Sequence, residues 1–320
     1  MAKHAVHVAA CFAIFASLLL SACATRGPRF SESRTELGDT PFHPQARYQC
    51  GPAALATVLG SSGVSVTADE LVPRVYLPAR RGSLQLEMIA ASREFGRLPL
   101  VLPRHLEAII AELEGGRPVL VLHNYGWRWW PRWHYAVVIG YDPERDQFIL
   151  RSGREARKTM RTRHFLVYWR QAARWAMVVL RPGETAANND ARLFLEAAAE
   201  FERRASAADS FAVFDAAVSR WPHEAVAWIG RGTAQYRLGN ALAAAHDYAE
   251  ALKRDASQAG ARNNLAHVLI ELGCPGRARR ELARIDVQAI PPALREAVAA
   301  TTRDLNKRSA EDVETCSAIP

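Results

Sequence analysis

Cysteine is scarce in this chain, with five residues in 320. No cysteines or histidines stand at structural-zinc spacing, so neither a metal-held fold nor a metal is expected, and no other cofactor is implied. There is no recognised DNA- or RNA-binding motif and no nucleotide-binding loop. The formal charge of +8 comes mostly from arginine, in a chain with only 23% charged residues. That balance reads as solvated surface, and no nucleic-acid partner is expected. Beyond residue 20 no apolar run is long enough to span a bilayer. What is present is a 49% hydrophobic composition, which excludes wholesale disorder and supports a sizeable core. The length suits two domains.

At the N-terminus Lys3 precedes an apolar stretch from Ala5 to Leu20, followed by Leu20-Ser21-Ala22-Cys23. A positive start, a short apolar segment and small residues together describe an export signal. The tetrapeptide resembles the lipobox of bacterial lipoproteins. That resemblance implies removal of residues 1–22 and lipidation of Cys23. With Ala24 after the cysteine it also implies sorting to the outer membrane, facing the periplasm. The expectation is a lipid-anchored protein of the bacterial cell envelope, held lastingly because more than one acyl chain is attached. Residues 23–40 have little apolar content and read as a flexible tether. Cys11 leaves with the signal and Cys23 carries lipid, so Cys50, Cys274 and Cys316 remain in a compartment that permits disulfides. Three thiols form at most one pair. Cys274 and Cys316 share the C-terminal half and are the expected pair, leaving Cys50 free.

From residue 41 the pattern is mixed. "CGPAALATVLG" has helical spacing, with Pro52 in the first turn and Gly60 at the end. "GSLQLEMIAASREFG" predicts a second helix with Ser83 as N-cap and Gly96 as stop, and "RHLEAIIAELEGG" a third. Strands are predicted in "RPVLVLHN", "HYAVVIGYD" and "QFILRS", the last two joined by a "PERD" turn. A short helix and a last strand follow in "FLVYWRQAARWAMVVLRP". Helices first and an antiparallel sheet second is an α+β order. "PGETAANND", residues 182–190, reads as a linker.

Everything beyond it is helical and repeats. Trp228, Gly232, Gly239, Ala244, Tyr248 and Ala251 fit the tetratricopeptide (TPR) pattern. A step of 34 residues forward reaches Leu265-Ala266, Gly273, Ala278 and Leu282, and the same step back reaches Ala198, Phe214, Ala217 and Pro222. This resembles three TPR units over 191–292, beginning near Ala191, Ala225 and Ala259, with a capping helix and tail over 293–320. Stacked helix pairs leave a concave face that binds protein and does no chemistry.

Cys50 precedes Gly-Pro at a helix N-terminus, where the macrodipole favours thiolate over thiol. Taken alone it could be a buried small hydrophobe, half of a disulfide or a nucleophile. Gln45, or alternatively Gln49, could donate an amide to an oxyanion. His134 opens a strand behind a Trp-rich loop and could serve as general base. Together "QARYQCGPAAL" and "HYAVVIGYD" resemble the papain-fold cysteine peptidases of the bacteriocin-processing, double-glycine-leader type, over residues 41–181. The resemblance implies Cys50 as nucleophile, His134 as base and acid, Gln45 at the oxyanion, and a peptide or protein substrate. The family's third residue, an aspartate that orients the histidine, has no counterpart. "LRSG" stands in its place, so Ser152 is the candidate orienter, ahead of Asp142 and Asp146.

The expected architecture is therefore an α+β papain-like cysteine peptidase domain followed by an all-α TPR-like repeat domain. Two rivals stand beside proteolysis: an acyltransferase or amidase using the same Cys-His pair, and an inactive envelope scaffold. "YGWRWWPRW" is either a substrate wall or lid, or a buried satellite cluster. His123 reads as a strand-end histidine, His43 and His105 as surface residues, and the basic run 151–163 as a solvated face that could meet lipid headgroups.

Overall fold

The computed structural model describes residues 33–308 and Cys316. The expected signal segment, the lipidation site Cys23 and the tether up to residue 32 lie outside the described residues. Among the described residues no helix is long and apolar enough to cross a membrane.

The N-terminal part is an antiparallel sheet with helices on both faces. Strand β1 (Thr35–Glu36) leads to helices α1 (Cys50–Ser61), α2 (Ala68–Val75) and α3 (Gln85–Glu94). Then come β2 (Leu98–Val101), α4 (Leu106–Glu114), β3 (Val119–Asn124), β4 (Trp133–Asp142), β5 (Gln147–Ser152), β6 (Glu155–Arg161), α5 (Thr162–Arg170) and β7 (Ala176–Leu180). The strand order is β2-β7-β3-β4-β5-β6, with β1 on β4. The segment expected to be tether is thus zipped to the sheet from Thr35 on, and Leu37 N–H donates to the Ile139 carbonyl at 2.7 Å.

Alternation along β4 divides the core. Tyr135, Val137 and Ile139 face α1–α3, whereas Ala136 and Val138 face α4 and α5. A bulge between Val138 and Gly140 changes the phase, so Tyr141 joins Ala136 and Val138. One extra residue switches every later side chain to the other face. On that second face Phe148, Phe165 and Trp169 are fully buried, with Phe148 and Phe165 stacked at 4.3 Å. Each such burial stabilises by roughly 1.5–3 kcal/mol.

Several local expectations change. The α1 stop is Gly63, at φ +83°, rather than Gly60. Ser83 does not cap α3; the N-cap is Leu84, and the Ser83 hydroxyl is packed against Gly51 without a hydrogen bond. Helix α2 was not anticipated although it has a legible start: Thr67 and Glu70 form a capping box. Strands β2 and β6 were also missed. Most of the basic run 151–163 is the end of β5 and the edge strand β6, whose charges protect an open sheet edge.

Beyond β7 the chain is helical: α6 (Ala191–Glu202), α7 (Ala207–Arg220), α8 (Ala225–Arg237), α9 (Ala241–Arg254), α10 (Ala259–Glu271), α11 (Pro275–Leu282) and α12 (Pro292–Asn306). Helix pairs open at Ala191, Ala225 and Ala259, a constant step of 34 residues. Gly230 lies against the Phe214 ring, where a side chain would collide, and Gly232 lies close against Tyr248. Cys274 and Cys316 are joined in a disulfide, Cα–Cα 5.6 Å. The expected linker is docked rather than loose. The buried Glu112 carboxylate accepts from Ala187 N–H at 2.7 Å, and Trp221 donates to Asn189 at 3.0 Å. Phe194, Phe201, Phe214 and Trp221 continue the same core that covers the sheet.

Candidate active site

Cys50 is the first residue of α1, half-buried, and the free cysteine among the described residues. Its placement is built from both sides. Tyr48, two residues before it, is held at φ +66° with its ring between the Arg47 and Arg81 guanidinium groups at 5.0 and 5.8 Å. A non-glycine residue in that left-handed region turns the chain sharply into the helix. Pro52 falls in the first turn, where no backbone donor is needed. Gly51 has no room for a side chain because the Ser83 hydroxyl occupies that space, and the Ser83 carbonyl in turn accepts from Tyr135 Oη at 3.4 Å.

The Cys50 thiol is near enough to the backbone of Tyr135 and Gly51 for both to lower its proton affinity. The thiol therefore lies beside β4, one residue from His134. A small cavity is lined by Phe42, His43, Gln45, Cys50, Arg151 and Ser152, among others. Gln45 is anchored there by its own N–H, which donates to the Gly153 carbonyl at 3.1 Å. Gln49 is the N-cap residue of α1, makes no side-chain cap bond and does not line this cavity.

His134 Nε2 and Ser152 Oγ are 2.9 Å apart. The pairing follows from register: β4 and β5 are antiparallel neighbours with Val137 opposite Arg151, which brings the end of β5 beside the start of β4. Asp142 and Asp146 are not available to this histidine. Asp142 closes the β4–β5 turn, accepting from Glu144 N–H and Arg145 N–H at 3.1 and 3.0 Å. Asp146 pairs with the Tyr141 hydroxyl at 3.4 Å. Both sit at the far end of β4.

Two further side chains stand behind Ser152: Tyr125, not singled out in the sequence, and His123, read there only as a strand-end histidine. The Tyr125 hydroxyl is near enough to Ser152 to be influenced by it and lies 3.3 Å from His123 Nδ1. The Tyr125 ring is 5.4 Å from that of His134. His123 is the strand-end histidine expected, next to last in its strand. It is fully buried within β3, directly opposite His134 in the ladder. Phe165 meets its ring edge-on at 4.9 Å, and His123 Nε2 has no hydrogen-bond partner. No sequence signal short of the β3–β4 register could have found this pair. His43 is partly buried at the cavity and His105 is exposed.

Burial dominates the electrostatics. It pushes the Cys50 thiol above its ordinary value, against the lowering effect of the neighbouring backbone. The helix-start argument for a preformed thiolate is therefore outweighed in the resting site. Burial, with Lys158 as a smaller contribution, brings His134 down to about 4. Burial and the neighbouring His134 bring His123 down to about 3, and Tyr125 is pushed up to about 12. At neutral pH the resting pair is a neutral thiol and a neutral imidazole.

A stability consequence follows. The folded values of both histidines lie below the ordinary 6.5, so below pH 6.5 the unfolded chain binds more protons. Stability is then lost as pH falls from 6.5 toward about 3 for His123, at up to about 1.4 kcal/mol per pH unit per histidine. Urea unfolding at pH 7, 6 and 5 should show this slope, and His123→Phe should flatten it. An equal slope in the variant would mean that His123 is not the group responsible.

Among the described residues no group of three or more His, Cys, Asp or Glu side chains could hold a metal ion. Residues 37–177 match the Peptidase_C39 like family. Of the solved structures, a candidate C39-like peptidase from Bacillus anthracis is 15% identical and covers 48% of this chain and 100% of its own, with a TM-score of 0.39. The peptidase domain of Streptococcus ComA, a bi-functional ABC transporter involved in a quorum sensing pathway, is 20% identical and covers 44% of this chain and 98% of its own, with a TM-score of 0.36. No curated protein matches the chain. The part of the chain that holds Cys50, His134 and Ser152 is thus an α+β domain matching the Peptidase_C39 like family, a match that suggests a cysteine peptidase.

Proposed function

We propose that the protein is a lipid-anchored cysteine peptidase of the bacterial cell envelope, with Cys50 as nucleophile and His134 as base and acid. The observation that carries this reading is a thiol beside the Tyr135 backbone, one residue from a histidine whose Nε2 is occupied by Ser152. That bond leaves His134 Nδ1 to take the thiol proton as the sulfur attacks the substrate carbonyl carbon. Gln45 and the Cys50 N–H stabilise the tetrahedral oxyanion. His134 then protonates the leaving amine, the C–N bond breaks, and a thioester remains. Water attacks the thioester with His134 again as base, releasing a carboxylate and restoring the thiol.

Ser152 replaces a carboxylate, and the chain behind it compensates in part. His134 Nε2–H donates to Ser152, Ser152 to Tyr125, and Tyr125 to His123 Nδ1. Each hydroxyl that donates onward becomes a better acceptor, so the imidazolium formed in the reaction is stabilised more than by a lone serine. Tyr125→Phe is expected to lower kcat about 5- to 10-fold, as loss of roughly 1–1.4 kcal/mol of hydrogen bonding implies. The acid limb of the pH profile should move to lower pH, because an imidazolium with less support holds its proton less well. An unchanged profile would remove Tyr125 from this role.

The helical region is read as TPR repeats on the strength of the 34-residue step and the glycines at the helix contacts. Its concave face would bind a protein partner. Attachment through Cys23 rests on the lipobox resemblance. The test of activity is alkylation of the full chain by an iodoacetamide probe. Labelling should be lost in Cys50→Ala and should rise steadily from pH 7 to pH 9, since the resting thiol is neutral. A folded wild type with no peptide turnover would favour the scaffold reading.

A further inference from the structure

The stretch between β3 and β4 is a folded hairpin rather than a loose loop. Tyr125 N–H donates to the Arg132 carbonyl at 3.0 Å, and Trp127 and Trp130 exchange backbone bonds at 3.2 and 3.1 Å. The buried Asn124 side chain accepts from Gly126 N–H at 2.9 Å and Arg132 N–H at 2.8 Å. Any side chain at Gly126 would collide with the Trp130 carbonyl.

This frame holds its tryptophans outward. Trp127, Trp129, Trp130 and Trp133 are 70%, 79%, 75% and 54% exposed. They do not form the buried satellite cluster that the sequence allowed. Nor do they line the cavity at Cys50, so they are not its wall. Arg128 and Arg132 stand exposed among them, and no acidic residue occurs between Glu114 and Asp142.

We propose that this Trp-Arg hairpin is a bilayer-docking surface that enters the headgroup layer of an anionic membrane. The shape decides against a peptide partner. Side chains exposed to this degree on a hairpin tip form a convex surface, which a single extended peptide touches on one side only. A planar interface covers all of them at once. Tryptophan is the residue favoured at headgroup depth, where its ring is half apolar and its N–H stays wet. Arginines between the rings meet lipid phosphates bidentately, and with no carboxylate nearby they have no competing partner on the hairpin. Docking sets the start of β4 at the membrane surface, so His134, next after Trp133, works on substrates presented there. The docking surface does not depend on the peptidase reading.

The test uses the expected mature chain, residues 23–320, with Cys23→Ser, so that neither the apolar segment before it nor an acyl chain contributes. It compares this protein with the same protein also carrying Trp127→Ser, Trp129→Ser and Trp130→Ser. Vesicles contain phosphatidylglycerol and phosphatidylethanolamine, or phosphatidylcholine alone. Removal of the three rings should weaken partitioning to the anionic vesicles at least 10-fold without changing the far-ultraviolet circular dichroism. Brominated lipid should quench tryptophan emission in the parent but not in the variant. Arg128→Gln with Arg132→Gln should weaken binding to the anionic vesicles about 10-fold and leave the weaker binding to phosphatidylcholine unchanged. Equal partitioning and equal quenching of parent and triple variant would overturn the proposal. A raised KM for a soluble peptide in the triple variant, with vesicle binding intact, would assign the hairpin to substrate instead.

Discussion

Cys50→Ala and His134→Ala are each expected to lower kcat/KM for peptide cleavage by about 10⁴-fold or more, and the double variant by no more than either alone. In the proposed mechanism the two side chains act as one unit: a thiol without a base stays protonated, and a base without a nucleophile has nothing to activate. In the resting site the coupling is strict, because burial holds the thiol above its ordinary value and His134 near 4. Neither group is ionised in advance, so the proton must pass between them as the substrate binds. Gln45→Ala should cost less, about 10²-fold in kcat, as loss of one oxyanion donor does. Unfolding curves should hardly move for Cys50→Ala, since Cys50 is only half-buried at a helix start. Activity in Cys50→Ala within a few-fold of wild type would sink the assignment. Additive losses in the double variant would mean that the two residues act separately.

Arg231→Leu is expected to be the most damaging single change in the helical region. The Arg231 guanidinium, on α8, makes two bonds to the Asp247 carboxylate of α9, at 2.9 and 2.7 Å. A third goes to Asp215 of α7 at 2.9 Å. The Trp228 ring lies 4.6 Å beneath it, with Arg254 on the same ring at 4.2 Å. One side chain therefore ties three helices. Asp247 is almost wholly buried and Asp215 is half exposed. Removal of the guanidinium strands the Asp247 carboxylate away from water, a loss of about 3–5 kcal/mol. The Asp215 arm adds little because water can replace it. Thermal and urea unfolding should show this loss, and Asp247→Asn in the same protein should recover most of it. A double variant as unstable as Arg231→Leu alone would mean that packing on Trp228, not the buried charge, sets the effect.

Much of the fold was legible because its signals are local. The helix at Cys50 is announced by Gly-Pro and an apolar run, and β4 and β5 by alternation around a "PERD" turn. The 34-residue step of the helix pairs comes from small residues at repeated positions. What was missed had weaker or contradictory signals. Strand β2 is only four residues long and contains a proline. Strand β6 reads as a charged run because it is an edge strand with its side chains in water. Ser83 looked like a cap, yet the close approach of Gly51 sets its position.

The site divides in the same way. Sequence by itself determined that a cysteine opens a helix, that a glutamine precedes it by five residues, and that a histidine opens a distant strand. Those are properties of residue order, and local backbone preference converts them into positions. The sequence offered Ser152 ahead of Asp142 and Asp146 as the group behind the histidine, and only the tertiary structure set Ser152 there and added Tyr125 and His123. Ser152, Tyr125 and His123 meet it through the register of three strands, and a shift of one residue would turn them to the other face. It also decided the protonation of Cys50, because desolvation sums over every element packed on the thiol while the helix dipole acts over a single turn. The four tryptophans beside His134 were equally consistent with burial and exposure in one dimension. The hairpin that Asn124 and Gly126 impose leaves them no core to join.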